Sequence, residues 1–382
     1  MNPPTEARVV CFLNHFEILT KKVYLAACSH SPLHRAMVES LEEYRRDLEE
    51  YGNPWDLWVE KVGEAKELFA RLIGAKRDEV APSFSVSTAL DTLLSAFKYN
   101  SRNELLTSDL EYPTTNFILL AQQKRGARVT TLRAEDYTIT PEDYTMRLTP
   151  KTRLVTAIHV SSINGFKQEV EEIVRLSHAA GAEVYVDSYQ AAGNTVIDVR
   201  KMDVDYLTSG TLKYLLGLPG LAFLYVREDI IPTLEPEYTG WFSQKDPFLF
   251  GASSLNYADN ADRFQSGTWS VPSIYAGIAG LKTILEVGVE NIEKRVSTLT
   301  RRALEFGDSL GLHSISPMDD ARRGAIVSFV VKNPHQLELK LNRMGFVTSS
   351  RGIGLRLAPH FYNTEDEIER AVEAIANAQT RS

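Results

Sequence analysis

The sequence has few cysteines, no excess of positive charge and no long apolar run, and each absence excludes a class of protein. Only two of the 382 residues are cysteine, which is too few for a disulfide framework and suits a reducing compartment. Cys11 and Cys28 lack metal-ligand spacing, so we predict no metal site. The formal charge of -8 is spread along the chain, which gives no basic surface for nucleic acid or an anionic membrane.

No segment stays apolar for the length of a membrane span, and residues 1–10 carry proline and charged residues where a signal peptide needs an apolar core. We therefore expect a cytoplasmic protein that has neither nucleic acid nor a membrane as a partner. The length of the chain and its 43% hydrophobic content suffice for one large domain and a smaller one.

Helical and strand patterns alternate through the middle of the chain, which predicts an α/β domain. The predicted helices are 33–51, 58–73, 87–97, 116–125 and 170–180, and the predicted strands are 104–108, 128–132, 153–160, 183–187 and 221–226. Strand 153–160 is apolar on both faces, as expected where helices cover a mostly parallel sheet. From residue 271 onward, helices at 274–287, 290–310 and 365–378 and a strand at 324–331 predict a smaller α+β domain.

Two residues indicate chemistry. Asp187 ends an apolar strand, where ligands bind in open α/β sheets, although an aspartate there is also a common turn residue or helix cap. Lys213 lies among small hydroxyl and apolar residues that would desolvate its ammonium and lower its pKa, unlike a surface lysine. A neutral amine condenses with an aldehyde, and a carboxylate keeps a pyridine nitrogen protonated, so together they fit pyridoxal 5'-phosphate (PLP).

The segments around these two residues resemble the class V aminotransferase group of PLP enzymes. Val186-Asp187-Ser188-Tyr189-Gln190 is similar to the V-D-x-x-Q of that family, and Ser209-Gly210-Thr211-Leu212-Lys213 with Gly217-x-Pro219-Gly220 is similar to its lysine loop. The resemblance covers nearly the whole chain. It implies fold type I of the PLP-dependent transferases, with a mainly parallel seven-stranded sheet in a large domain at 20–275. Residues 1–19 and 276–382 would then form the small α+β domain.

The same resemblance implies a role for each cofactor-binding residue. Lys213 would hold PLP as a Schiff base, Asp187 would anchor the pyridine ring, and Gln190 would bind the phenolic oxygen. Tyr112 would stack on the ring, unless it is a plain core tyrosine. The phosphate would be bound by the helix start at Val86 and Ser87, by a hydroxyl of Thr208 or Thr211, and by Gly267 and Thr268 of a neighbouring subunit, which implies a homodimer. Free N–H groups at a helix start do bind anions, although serine and threonine are also ordinary helix caps.

On the substrate side, Arg356 matches the arginine of the family pattern R-x-x-P-x-x-Y-N and is suited to an α-carboxylate. His30 and Trp269 are further candidates for lining the pocket, and either could be purely structural. Trp241, Phe242 and Trp269 would make the pocket partly aromatic. The family often has histidine directly before the lysine, and the residue here is Leu212.

The reaction is less defined than the cofactor. The loop Thr348–Gly354 has no cysteine before Arg356, which disfavours cysteine desulfurase chemistry. Thr239-Gly240-Trp241-Phe242 and the segment 263–268 resemble kynureninase, but Leu212 replaces the tyrosine of those enzymes. We predict transamination of an α-amino acid, with Lys213 moving the proton. A kynureninase-like hydrolase, a C–S or β-lyase, an epimerase and a non-catalytic PLP-binding protein remain the alternatives.

Overall fold

The computed structural model describes residues 15–251 and 253–380, so Cys11 and most of the predicted segment 1–19 lie outside it. Its strands are β1 (Val23–Tyr24), β2 (Val80–Ser83), β3 (Glu104–Ser108), β4 (Arg128–Leu132), β5 (Thr152–Ile158), β6 (Glu183–Asp187), β7 (Tyr206–Gly210), β8 (Ala222–Val226), β9 (Val327–Val330), β10 (Phe346–Val347), β11 (Ser349–Arg351) and β12 (Gly354–Leu357). Its α-helices are α1 (Arg35–Tyr51), α2 (Trp55–Ile73), α3 (Val86–Ser95), α4 (Pro113–Ala121), α5 (Pro141–Thr145), α6 (Val170–Ala179), α7 (Val199–Met202), α8 (Val271–Val287), α9 (Val289–Ser309), α10 (Pro334–Arg343) and α11 (Glu365–Thr380).

The central sheet has seven strands in the order β2-β8-β7-β6-β5-β3-β4. Strands β3 to β7 are parallel, and β8 runs antiparallel to both β7 and β2. The predicted mainly parallel, seven-stranded α/β fold is therefore confirmed.

Both faces of the sheet are buried at its central strands, which explains why β5, β6 and β8 are largely apolar. Val184 and Val186 of β6 pack into one hydrophobic cluster, and Tyr185 between them packs into another. Successive side chains of a strand point to opposite faces, so a strand covered on both sides has no polar alternation. The carboxyl ends of β6 and β7 lie side by side, with Asp187 opposite Thr208. The candidate site forms beyond this edge.

A third hydrophobic cluster lies in the C-terminal part of the chain, where β9, β11 and β12 form a sheet of three strands. An N-terminal segment joins this part, because Val23 of β1 pairs with Phe346 of β10 and Ala26 forms a parallel bridge to Ala358. The domain boundary at residue 275 stays a prediction. Elements found in addition to the predicted ones are helices α5, α7 and α10 and strands β1, β2, β7, β10, β11 and β12.

No described helix combines the length and the apolar character that crossing a membrane requires. Among the same residues, no group of three or more histidine, cysteine, aspartate or glutamate side chains is arranged to hold a metal ion.

Candidate active site

Asp187 is the last residue of β6 and is almost completely buried, with 3% of its surface exposed. Its Oδ1 accepts a hydrogen bond from the N–H of Tyr189 at 2.9 Å. Burial raises the pKa of the carboxyl, whereas that N–H group and the charge of Lys213 both favour the ionised form. The strand thus presents a shielded carboxylate beside an amine.

Lys213 lies in the loop that joins β7 to β8. The loop is closed by the Thr211 hydroxyl, which donates to the Leu218 carbonyl at 2.9 Å. Gly217 is required for this closure, because a Cβ there would lie 2.6 Å from Cβ of Thr211. Burial lowers the pKa of Lys213 from 10.5 to about 8, against the opposing effect of the Asp187 charge.

Two further cations act on the same amine. The positive charges of Arg356 and Arg351 both lower the pKa of Lys213. Because like charges disfavour protonation, these arginines help to keep a larger fraction of Lys213 neutral near physiological pH. A neutral amine is the form that attacks a carbonyl carbon.

Two aromatic rings enclose the Lys213 amine. Its Nζ lies 4.1 Å from the ring centre of Tyr189 and 5.6 Å from that of Tyr112. Gly210 makes room for the first ring, since a Cβ there would lie 2.4 Å from Cζ of Tyr189. Tyr112 is 36% exposed, and an aromatic ring beside the amine can stack on a planar ligand. The predicted stacking role of Tyr112 is compatible with this geometry and stays a prediction.

Gln190 and Thr208 are both buried next to Asp187. The Gln190 amide donates to the Cys28 carbonyl at 3.0 Å, and its Oε1 has no hydrogen-bond partner among the described residues. Each side-chain amide has two N–H groups, so one donor remains for a ligand. The Thr208 hydroxyl lies 2.6 Å from the hydroxyl of Tyr185, which lies on the same face of the sheet as Asp187 because the two are separated by one residue on β6.

Arg356 lies on β12 with 2% of its surface exposed. Its Nη1 donates to the Ser162 carbonyl at 2.6 Å, whereas its Nε has no acceptor in the part of the chain that the structure describes. A buried guanidinium with a free N–H is a binding group for a carboxylate, which would supply both negative charge and an acceptor.

Cys28 also belongs to this region, although it is distant in sequence from both Lys213 and Arg356. Its Sγ lies 3.2 Å from the hydroxyl of Ser349, which pairs with Arg356 across β11 and β12. The same cysteine acts electrostatically on Lys213. The turn that carries Cys28 therefore lines the substrate side of the site.

The start of helix α3 is the predicted phosphate site. Ser85 caps the helix by accepting the N–H of Thr88 at 3.0 Å, while the first N–H groups of any helix, here those of Val86 and Ser87, have no acceptor within it. Thr211 is less suited to this role because its hydroxyl proton is donated to the backbone. Gly267 is half-buried and Thr268 is exposed, and their contact with a second subunit stays a prediction.

The remaining candidates lie in other surroundings. Trp269 donates its ring N–H to Gln265 at 2.6 Å and packs 3.9 Å from the ring centre of Phe242, so its contacts are with an aromatic cluster. His30 is exposed, and its carbonyl accepts a hydrogen bond from Tyr24 at 2.9 Å. Their substrate-binding roles stay predictions.

Sequence reasoning did not single out four residues that the structure brings to the site, namely Glu111, Tyr189, Ser162 and Arg351. Tyr189 occupies a variable position of the V-D-x-x-Q pattern, and Ser162 contributes through its backbone, so neither carries a signal in the side-chain types. Glu111 directly precedes the candidate Tyr112 and is 3% exposed. Its place shortly after a buried strand and beside the candidate Tyr112 is the signal that could have revealed it.

Comparisons with known proteins agree with this geometry. The family model described as Aminotransferase class-V matches residues 24–370. An uncharacterized aminotransferase, YcbU, of Bacillus subtilis is 33% identical over 94% of this chain and 95% of its own length. A probable cysteine desulfurase of Methanothermobacter thermautotrophicus is 26% identical over 94% of this chain and 95% of its own. A kynureninase of Shouchella clausii is 26% identical over 95% and 90%.

Solved structures share the fold. A cysteine desulfurase from Thermococcus onnurineus in its apo form superposes with a TM-score of 0.88 at 22% identity, covering 100% of this chain and 99% of its own. A variant of C-DES with glycine covalently linked to its PLP cofactor gives a TM-score of 0.88 at 21% identity, covering 96% and 99%.

The residues present here fit PLP. The buried Asp187 carboxylate suits a pyridinium nitrogen, the amine of Lys213 is partly neutral near pH 7, and Gln190 has donor and acceptor groups to spare. The open N–H groups at the start of helix α3 suit a phosphate. PLP is the cofactor that these residues and the comparisons support.

Proposed function

Because the chain belongs to the aminotransferase class-V family, we propose that it is an aminotransferase acting on an α-amino acid, with PLP bound covalently to Lys213. PLP supplies an electron sink that makes the α-proton of a bound amino acid acidic. The residues of the site would bind the substrate, orient it and transfer that proton.

The observation that carries this proposal is the pairing of Asp187 with Lys213. They influence each other's pKa in opposite directions, as expected for an acid and an amine in one site. A pyridine ring between them would have its nitrogen at the carboxylate and its aldehyde carbon at the amine. Tyr112 would cover one ring face, since it already lies within reach of Lys213 Nζ.

Lys213 also supports the proposed proton transfer. With a pKa of about 8, its Nζ can both take up and release a proton near neutral pH. Burial keeps bulk water from this amine and so favours transfer between substrate atoms and Nζ.

Arg356 supports an amino acid as the substrate rather than a simple amine. Its guanidinium is buried, one N–H is anchored by Ser162, and its Nε is unpaired among the described groups. An α-carboxylate would satisfy this donor and neutralise the charge. Its pull would also hold the α-carbon close to Lys213, on which Arg356 acts electrostatically.

Elimination, a kynureninase-like hydrolysis or epimerisation would use the same Asp187, Lys213 and Arg356, and a kynureninase is among the similar proteins. No cysteine stands in the loop Thr348–Gly354 that leads to Arg356. Cys28 does reach Ser349 of this loop, but it is buried at the base of the turn. We therefore place transamination before chemistry that requires a mobile thiol.

The test is a screen of amino acids against the cofactor-loaded enzyme without a keto acid. Transamination converts the cofactor to its amine form in a single turnover and releases one keto acid per site, and an added keto acid then restores the starting spectrum. Continuous release of pyruvate or alanine without a second substrate would establish a lyase or hydrolase instead. Racemised substrate with an unchanged spectrum would establish an epimerase.

The variant Arg356→Gln tests whether Arg356 binds the α-carboxylate of the substrate, and an amine without a carboxylate serves as the control. Loss of one partner of a buried charge pair costs roughly 2–5 kcal/mol, so kcat/KM for an amino acid should fall on the order of 100-fold. The corresponding amine, which lacks the carboxylate, should lose little. An equal fall for both substrates would show that Arg356 does not bind the α-carboxylate.

A further inference from the structure

We propose that Glu111 is a positioning residue of this site: it is held as the neutral acid, so that Asp187 alone carries the negative charge at the end of the sheet where the pyridine nitrogen would bind. The ligand in this inference rests on the proposed function, but the protonation of Glu111 does not. Glu111 lies between the end of β3 and the start of α4, and its N–H points back to the Ser108 carbonyl at 3.4 Å.

The Glu111 carboxyl is buried without a hydrogen-bond partner. The residue is 3% exposed, and neither of its side-chain oxygens forms a hydrogen bond in the described part of the chain. An ionised carboxylate needs donors on both oxygens when it leaves water, whereas a neutral acid needs far less compensation. Its surroundings therefore suit the acid.

The hydrogen bonds of the hydroxyl groups beside Glu111 all run in one direction. Thr156 faces Glu111, but its hydroxyl proton is donated to Oγ1 of Thr107 at 2.8 Å. Thr107 in turn donates to Oδ1 of Asn116 at 2.8 Å, and the Asn116 amide donates to the Ser108 carbonyl at 2.8 Å. A carbonyl can only accept, so this last bond fixes the direction of the whole chain.

It follows that the Thr156 hydroxyl presents lone pairs, not a proton, to Glu111. An ionised Glu111 would need the hydroxyl proton of Thr156, and Thr156 would then lose its hydrogen bond to Thr107. A protonated Glu111 needs no such change and can itself donate to Thr156. The chain of hydroxyl groups therefore favours the acid form, even though a hydroxyl beside a carboxyl usually favours ionisation.

The titratable groups that act on Glu111 come from two elements, and all are acidic. They are Asp187 on β6, Tyr185 on the same strand, and Tyr144 on α5. The Tyr144 hydroxyl donates to the Thr156 carbonyl at 3.4 Å, and that of Tyr185 is paired with Thr208. Burial, followed by the Asp187 charge, raises the pKa of Glu111 well above its usual range.

Glu111 and Asp187 thus form a buried carboxyl pair that retains one proton at neutral pH, since two neighbouring carboxylates cannot both ionise without a large penalty. The proton belongs on Glu111. Asp187 has the Tyr189 N–H and the Lys213 charge to stabilise its ionised form, and Glu111 has neither. Removing the proton from Glu111 would favour protonation of Asp187, and a protonated Asp187 would bind a pyridinium nitrogen more weakly than the carboxylate does.

Infrared spectroscopy of the full chain at pH 7 tests the protonation state directly. We expect the carbonyl stretch of a buried, protonated carboxylic acid, shifted by carboxyl-labelled glutamate but not by labelled aspartate, and lost in Glu111→Gln. No such band, or one that moves with labelled aspartate, would overturn the proposal. The labelling on the wild-type chain gives the answer even if the variant does not fold.

Stability against pH is the second readout. A carboxyl whose pKa is raised by folding contributes stability that is full below its unfolded value and is lost as pH rises through the folded value. The midpoint of thermal unfolding of Glu111→Gln should therefore rise relative to wild type between pH 4 and pH 8, with no such trend for the exposed Glu67→Gln. A parallel pH dependence of wild type and Glu111→Gln would refute a neutral Glu111.

The last readout concerns the cofactor. Because Gln and a neutral Glu carry the same charge, Glu111→Gln should bind PLP within about threefold of wild type at pH 7, and a loss beyond about tenfold would contradict the proposal. These readouts need no turnover. If the infrared band is present while transamination is absent, the proposed reaction fails and the role of Glu111 stands.

Discussion

Replacing Lys213 with methionine should stabilise the cofactor-free chain. The lysine is charged in the unfolded state, and burying it on folding therefore costs free energy. The pKa of Lys213 falls from 10.5 to about 8 on folding. At pH 7 this difference corresponds to about 3 kcal/mol, and at pH 10 to about 1 kcal/mol. Because the pKa of Lys213 is lower in the folded state, the cost of its burial to the free energy of unfolding is full below about pH 8 and decreases as pH rises toward 10.5.

The assay is urea unfolding of both chains at several pH values, in which the midpoint and slope give the free energy of unfolding. Lys213→Met should exceed wild type by about 3 kcal/mol at pH 7, and this advantage should shrink to about 1 kcal/mol at pH 10. The exposed Lys124→Met serves as the control. A methionine variant that is less stable than wild type, or a difference that does not vary with pH, would refute the assignment of Lys213 as a desolvated amine.

Four further outcomes are expected. Lys213→Ala should abolish fixation of the cofactor by borohydride, and label on another lysine of the wild-type chain would refute the assignment. Asp187→Ala should keep some cofactor but slow α-proton exchange with solvent by several powers of ten; an unchanged rate would contradict the anchor role. Arg351→Gln removes a like charge, so the pKa of Lys213 should rise and the pH profile of PLP capture should move upward. Cys28→Ala should retain single-turnover transamination, and its loss would indicate thiol chemistry.

The sequence predicted the parts of the site that depend on one strand and the loop after it. Asp187 ends a predicted apolar strand, and the small and apolar residues around Lys213 indicated a desolvated amine. Strand β7 before Lys213 was not predicted, so its adjacency to β6, which brings the two residues to one sheet edge, is seen only in the structure. The antiparallel course of β8 could not be predicted either, because an apolar strand carries no sign of its direction.

Contacts made between distant segments were beyond sequence reasoning for a similar reason. Cys28 contacts Ser349 because Ala26 bridges to Ala358 and β1 pairs with β10. The sequence of the turn around Cys28 gives no signal for these pairings. Helix α10 begins at Pro334 and buries Leu337 and Leu341 among polar neighbours, so its apolar stripe is too thin to be distinguished from a loop.

The pairing of the N-terminal segment with the C-terminal sheet has a mechanical consequence. Cys28, Ser349 and Arg356 are joined to one another through β1, β11 and β12, while Asp187 and Lys213 belong to the large sheet and its loop. Two hydrogen bonds cross between these assemblies, from Gln190 to the Cys28 carbonyl and from Arg356 to the Ser162 carbonyl. A tilt of one assembly against the other would have to break both bonds, so they oppose any change in the gap between the guanidinium and the amine.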